Sequence, residues 1–166
     1  MVGAPIFEPF DKKRHSREDF SCEVESLQTY FRNRANQDMQ RKLAAVFVLA
    51  QGSTVLGYYT LSSYGIDAGD LPERVISKLP TYPRLPAVLI GRLARNDKYR
   101  GQGIGPMLLV DALRRSLSST ATVGAIAVIV EAENEKARKF YSDYGFTRIP
   151  DKHDKLFMPM EMIKKL

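Results

Sequence analysis

Arg100-Gly101-Gln102-Gly103-Ile104-Gly105 is the stretch on which the reading of this chain turns. An apolar run at residues 87–94 precedes it, and an apolar helical pattern (Met107, Leu108, Leu113) follows it. Strand, glycine loop and helix start form an arrangement that binds phosphate. Glycine reaches positive φ without a Cβ penalty, so the backbone can come close to a ligand. The free N–H groups of the first helical turn point at the anion, and the helix dipole adds to their pull. Arg100 can add a charged fork. The stretch therefore predicts a grip on a pyrophosphate.

Spacing separates the candidate ligands. A dinucleotide fold requires G-x-G-x-x-G, and Pro106 stands where the third glycine would be. A P-loop closes on Gly-Lys-Ser/Thr, which this loop does not have. What remains is Arg-x-x-Gly-x-Gly, with Pro106 in the first helical turn, where its missing N–H costs nothing. This loop resembles the acetyl-CoA loop of the GNAT superfamily of N-acetyltransferases; taken alone, an ordinary glycine-rich turn is the alternative. A second motif, Asn134-Glu135-Lys136-Ala137-Arg138-Lys139-Phe140-Tyr141-Ser142-Asp143-Tyr144-Gly145-Phe146, follows an apolar run at residues 125–130. It is similar to the GNAT pattern Asn-x-x-Ala-x-x-Phe-Tyr-x-x-x-Gly-Phe. Ala137, Phe140, Tyr141 and Tyr144 recur at helical spacing, and Gly145 sits where a left-handed residue ends a helix. Phe140, Tyr144 and Phe146 read as core. For Tyr141 the resemblance implies the acid that protonates the departing CoA thiolate, and for Asn134 a polar contact to the cofactor arm.

The coarse pattern along the chain is a mixed one. Residues 1 to about 20 read as irregular. Val24, Leu27, Phe31 and Ala35 mark one amphipathic helix from about residue 23 towards 37. Strands follow at 43–50 and 55–63, with a turn at Gln51-Gly52-Ser53 and a bulge suggested at Gly57. Asp70 is expected to cap a short helix from Leu71-Pro72 to near Leu79, and Pro80, Pro83 and Pro86 to stiffen the loop after it. The glycine-loop helix runs to about Leu117, a helix spans 134–144, and a last strand at 157–162 is assigned to an edge or bulge by Pro159. Strands around one glycine-loop helix suit a mixed sheet with helices on its faces. The resemblance implies more: an α/β (α+β) GNAT fold, a twisted, mixed, mostly antiparallel sheet with helices on both faces. That sheet is split between the strands at 87–94 and 125–130. The pantetheine arm enters the split and pairs with backbone at Leu93 and Ala94. The cofactor set is then Leu93, Ala94, Arg95, Arg100, Gly101, Gln102, Gly103, Ile104, Gly105, Asn134 and Tyr141. Arg95 stands where such loops often carry a hydrophobic residue and can pair with the cofactor phosphates.

Composition bounds the rest. The chain's 166 residues, 44% of them hydrophobic, suit a single globular domain spanning 1–166. The longest apolar run is too short to cross a bilayer, and no signal-peptide pattern opens the chain. The lone Cys22 fits a reducing cytoplasm, and His15 and His153 lack partners at metal spacing. Net charge is +6, which fits an anionic cosubstrate and also an RNA substrate.

The expected reaction moves acetyl from a thioester to a neutral amine. It needs proximity, a donor to the oxyanion and an acid for sulfur. Backbone N–H near Leu93 is the candidate donor and Tyr141 the candidate acid. No histidine or glutamate stands out as a base. An α-amino group, with a pKa of about 7.7–8.0, needs less help than a lysine at about 10.4.

Nearly the whole chain also resembles the GNAT toxins of bacterial toxin–antitoxin pairs. The residues that carry this are His15 with Phe20-Ser21-Cys22, Leu27 with Tyr30-Phe31, Arg34-Ala35-Asn36-Gln37, Gly57-Tyr58-Tyr59-Thr60-Leu61, and Gly91-Arg92-Leu93-Ala94. The resemblance implies acetylation of the α-amino group of aminoacyl-tRNA, a translation block, homodimers and a ribbon-helix-helix antitoxin. Arg34, Arg41, Lys42, Arg84 and Arg92 are the candidate substrate contacts. The alternative is a protein or small-molecule (polyamine-like) N-acetyltransferase.

Overall fold

A computed structural model describes residues 3–166. The chain runs β1 (Ile6–Pro9), α1 (Glu25–Asn33), α2 (Ala35–Gln40), β2 (Ala45–Gln51), β3 (Thr54–Asp67), α3 (Glu73–Ile76) and β4 (Arg84–Arg95). It continues through α4 (Ile104–Ser119), β5 (Ala127–Glu131), α5 (Glu135–Asp143), β6 (Thr147–Arg148), β7 (Lys155–Pro159) and α6 (Met160–Ile163). Seven strands form one sheet in the order β1-β2-β3-β4-β5-β7-β6. β4 and β5 are neighbours in that order, and α4 lies between them in the chain. The chain divides into two compact units, Met1–Ser62 with Ile90–Ala112, and Ser63–Leu89 with Leu113–Leu166.

In the first unit β1 pairs antiparallel with β2, from Ile6 opposite Ala50 to Pro9 opposite Phe47. The opening residues are thus not all irregular. Four residues of weak pattern become a strand because β2 offers an edge. β2 pairs antiparallel with β3, and the register slips between Leu49 and Ala50. Leu49 faces Gly57 and Ala50 faces Val55, so Leu56 is the extra residue, beside the glycine that suggested a bulge. The core is aromatic. Phe31 stacks on Tyr58 at 4.6 Å between centroids, with Phe10 and Phe20 against Phe31 at 5.0 Å each. Tyr58 is fully buried, and its hydroxyl donates to the Leu27 carbonyl at 2.6 Å. Leaving that carbonyl unpaired would cost roughly 1–3 kcal/mol.

The single helix expected over 23–37 is two. Arg34 leaves helical geometry at φ −124°, its N–H donates to Tyr30 O, and α2 begins at Ala35. Apolar spacing continues across the break, with Leu27, Phe31 and Ala35 all buried, so periodicity could not reveal it. The Tyr30 hydroxyl donates to Asp38 at 2.9 Å and ties the two helices together. α2 ends with Lys42 at φ 65°, Lys42 N–H on Met39 O and Leu43 N–H on Asp38 O. That is a Schellman ending with lysine where glycine is usual, at a cost of roughly 1–2 kcal/mol.

In the second unit β5 pairs antiparallel with β7, and β7 with β6. Ile66, Leu71, Leu85, Ala87, Ile129, Ile149 and Phe157 form its core. Three expectations are corrected here. Asp70 ends a short 3-10 turn and caps no helix; α3 starts later, behind Pro72, and lasts four residues. Pro86 lies within β4, near its start, where its carbonyl accepts Ile126 N–H at 2.9 Å. The last strand begins at Lys155 and stops at Pro159, and it is no edge, since β5 and β6 flank it. Pro159 instead precedes α6, where its fixed φ of −61° suits a helix start.

Candidate functional site

The first part of the site is the end of β4, the glycine loop and the start of α4, all within the first unit. Asn96 anchors it. Its N–H donates to Leu56 O at 2.8 Å, its Nδ2 donates to Val55 O at 3.0 Å, and its Oδ1 accepts the Lys98 N–H at 3.2 Å. The bulge at Leu56 thereby holds the strand end. Sequence reasoning missed Asn96, because its partners lie about forty residues away. Gly57 lets the helix sit down on the strands. A Cβ there would lie 2.7 Å from Leu108 Cδ1 and 3.0 Å from Ala94 O. One turn further along α4, Asp111 accepts the Tyr59 hydroxyl at 2.5 Å.

The loop itself is shaped by backbone. Gly101 and Gly103 hold φ +80° and +73°, and a Cβ on either would meet nothing within 4 Å. The requirement for glycine is therefore conformational, not a matter of room. Gly101, Gln102 and Gly103 are exposed, and Ile104 is buried under α4. The residue before α4 is a glycine with no side chain to cap it, and the first turn holds no acidic residue. Its leading amides have no partner within the helix. Arg100 does not hang free. It reaches Glu23 at 2.6 Å and Asp97 at 3.7 Å. Arg95, at the end of β4, has a buried Nε with no hydrogen-bond partner among the described residues; Ser116 Oγ in α4 is in the same state. Leu93 is half-buried and Ala94 buried.

The second motif, residues 134–146, lies in the second unit. Asn134 caps α5, its Oδ1 accepting Ala137 N–H at 2.9 Å. Tyr141 is buried, with Phe140 and Phe146 edge-on at 5.3 and 5.5 Å. Burial, with the Glu133 charge adding to it, pushes its hydroxyl far above the usual tyrosine range. The group is a neutral phenol at any ordinary pH. α5 ends as the glycine predicts. Gly145 has φ +99°, its N–H donates to Ser142 O, and Phe146 N–H donates to Tyr141 O.

The remaining candidates fall as follows. The Arg92 guanidinium carbon lies over the Tyr30 ring, 3.6 Å from its centroid. Tyr30 is pushed up to about 12 by burial and by its bond to Asp38, with Arg92 opposing. Arg34 and the Arg41-Lys42 pair are exposed at the two ends of α2. Arg84 belongs to the second unit and pairs with Asp67 at 3.4 Å. His15 is buried. Its Nδ1 accepts Asp11 N–H at 2.9 Å and Nε2 meets Glu8 at 2.7 Å, a structural pairing. Among the described residues no group of three or more His, Cys, Asp or Glu could hold a metal ion. No helix among them is long and apolar enough to cross a membrane.

The first unit thus offers a strand end, a glycine turn and a helix start with no side-chain cap, and the second unit a buried phenol. The acetyltransferase (GNAT) domain model matches residues 42–148, and the chain belongs to that family. It is 32% identical over 97% of its length, and 94% of the relative's, to "Probable toxin TacT" of Sinorhizobium fredii. It is 34% identical to a "tRNA-acetylating toxin" of Mycobacterium tuberculosis, over 79% of this chain and 78% of that one. A Tyr-to-Phe mutant of KacT superposes with a TM-score of 0.91 at 30% identity, covering 98% of this chain and 99% of that one. AtaT in complex with acetyl-methionyl-tRNAfMet gives 0.89 at 29% identity, over 97% and 98%. AtaTR bound with acetyl-CoA gives 0.85 at 29%, over 98% and 97%.

Proposed function

We propose that this chain transfers acetyl from acetyl-CoA to the α-amino group of aminoacyl-tRNA, and that it is the toxin of a toxin–antitoxin pair. The observation that carries the transferase half is the uncapped start of α4 behind two left-handed glycines. Helix-start amides of this kind suit a diphosphate. The orphaned Arg95 Nε has a donor to give to such an anion. The substrate half is supported by the tRNA-acetylating relative, by AtaT with its acetylated tRNA, and by the +6 charge. The antitoxin is supported by the AtaT mutant bound to the C-terminus of AtaR.

In this scheme the amides of residues 101–105 and the Arg95 guanidinium hold the diphosphate, and Arg100 joins them by exchanging Glu23 for phosphate. The Asn134 Nδ2, left over from capping, faces the cosubstrate arm. The amine nitrogen attacks the thioester carbonyl, and an oxyanion forms that accepts from the Leu93 N–H. The carbon–sulfur bond then breaks, Tyr141 gives its proton to sulfur, and the proton lost from the attacking nitrogen passes to water, which returns one to the Tyr141 phenolate, leaving amide and free thiol. Burial raises the phenol, which by itself opposes donation. The same dry surroundings disfavour the thiolate, so the transfer is matched on both sides. No base is required for an amine with a pKa of about 7.7–8.0. Arg92, Arg34, Arg41, Lys42 and Arg84 are assigned to the tRNA side. The enzyme acts in the cytoplasm, where its substrate is, as a homodimer.

Labelled acetyl-CoA offered with charged tRNA, and separately with lysine peptides and polyamines, tests the scheme. Label on the tRNA, sensitive to prior blocking of the α-amine, is expected. Label confined to peptides or polyamines would replace this reading with the protein or small-amine one.

A further inference from the structure

A groove in the first unit is used by nothing described so far. It encloses about 530 Å³ between the turn at residues 9–14 and the face of α2 that carries Asn36, Met39 and Gln40. These three sit at i, i+3 and i+4, which places them on one side of the helix. The floor offers no exposed apolar anchor, since Phe10 is 2% exposed and Met39 is partly buried. The rim is cationic. Lys12 and Lys13 are exposed and form no ion pair among the described residues. Asp11, the one carboxylate of the lining, already accepts the Lys13 N–H at 2.9 Å. Arg14 is held by Glu8 at 3.0 Å. One and two residues beyond Gln40 come Arg41 and Lys42, both exposed and likewise without an ion pair among the described residues. Lys42 keeps its place although its backbone is left-handed, at φ 65°.

We propose that this groove is an RNA subsite, across which the sugar–phosphate backbone of the tRNA substrate lies. Lys12, Lys13, Arg41 and Lys42 meet phosphates, and the amides of Asn36 and Gln40, which both donate and accept, meet ribose hydroxyls. The assignment rests on the tRNA reading above. Two cations on the rim without an ion pair among the described residues, Lys12 and Lys13, and two more that follow Gln40 in the chain, Arg41 and Lys42, supply sequence-independent attraction to phosphate. A protein partner would instead need a buried aromatic or aliphatic anchor to insert into a pocket, and the floor is closed by Phe10.

The test is steady-state kinetics on charged tRNA with wild-type protein and the Lys12→Glu/Lys13→Glu double variant, whose melting temperature checks that it is folded. The KM for tRNA is expected to rise about tenfold near 0.1 M salt, and the log–log salt dependence to become shallower by about 1.5. The kcat and the KM for acetyl-CoA stay at wild-type values. A second pair, Arg41→Glu/Lys42→Gly, should repeat the effect, with glycine relieving the left-handed position. Tenfold changes in both pairs support the subsite. If wild type acetylates tRNA while both variants keep its KM and salt slope, the groove is no RNA subsite although the function stands. Loss of poly-glutamate binding with unchanged tRNA kinetics would assign the groove to an acidic protein and overturn the proposal. Failure of wild type to label tRNA at all removes the substrate reading and the subsite with it.

Discussion

α4 starts behind glycines at φ +80° and +73°, with no acidic residue in its first turn, and α5 starts at Asn134 with Glu135 following. The second helix satisfies one of its own leading amides: Asn134 Oδ1 takes Ala137 N–H at 2.9 Å. The first follows Gly103, which has no side chain to do the same. A side-chain cap takes up one donor within the chain, whereas on the proposed reading the start behind the open turn takes an anion from outside. The two regions also differ in how they hold what matters. The α4 loop is shaped by its backbone, and α5 presents a side chain, Tyr141, between Phe140 and Phe146.

That contrast can be broken by mutation. The largest effect is expected from Tyr141→Phe, which should lower turnover by roughly 10²–10⁴ while acetyl-CoA still binds; near-normal turnover would remove Tyr141 from the chemistry. The wild-type pH profile carries the same message. Because burial raises the hydroxyl above its usual range, activity should climb with pH as the amine loses its proton and show no fall up to about pH 10. A loss of rate with an apparent pKa near 9 would contradict a buried neutral phenol. Next in size is Gly103→Val. Forcing a β-branched residue to φ +73° costs roughly 1–2 kcal/mol or reshapes the turn, and calorimetry should show acetyl-CoA affinity down about tenfold. Unchanged affinity would mean the loop is not the grip.

Asn134→Ala should cost about 1 kcal/mol in urea unfolding, the usual worth of a cap. A matching loss of acetyl-CoA affinity would show that Nδ2 also touches the cosubstrate; stability loss alone would leave the residue purely a cap. The smallest effect sharpens the comparison most directly. Pro106→Glu puts a carboxylate in the first turn of α4, which should stabilise the fold by about 0.3–1 kcal/mol and weaken acetyl-CoA binding at once. The two changes must move in opposite directions if these amides serve an external anion. Gain or loss of both together would say that the helix start is merely structural.

What could be read beforehand follows the same division. The loop, α4, α5 and the ending at Gly145 obey local rules, since positive φ demands glycine and helical spacing repeats within a few residues. Tyr141 stood out only because its motif resembles a known family; its burial required the fold. Asn96 was invisible because Val55 O and Leu56 O, its partners, come from another strand. The pairing of Arg100 with Glu23, 77 residues away, was equally hidden, and it changes a free phosphate fork into one that must exchange partners. β1 could not be foreseen because Ile6-Phe7-Glu8-Pro9 has little pattern of its own and borrows its order from β2. The break at Arg34 preserves apolar spacing on both sides. Pro159, expected at an edge, stands where a strand between two neighbours gives way to a helix.

The ending of α5 makes the hydroxyl proposed as the acid hostage to a residue without chemistry. Phe146 N–H reaches the carbonyl of Tyr141 with position 145 at φ +99°, where an added methyl would find room beside Met158 Cε at 3.4 Å but would strain the backbone. A cell that had to disarm this enzyme by chance alteration would not need to strike the phenol. One inherited change of Gly145 would slacken the clasp, let the ring drift, and leave a folded but harmless protein.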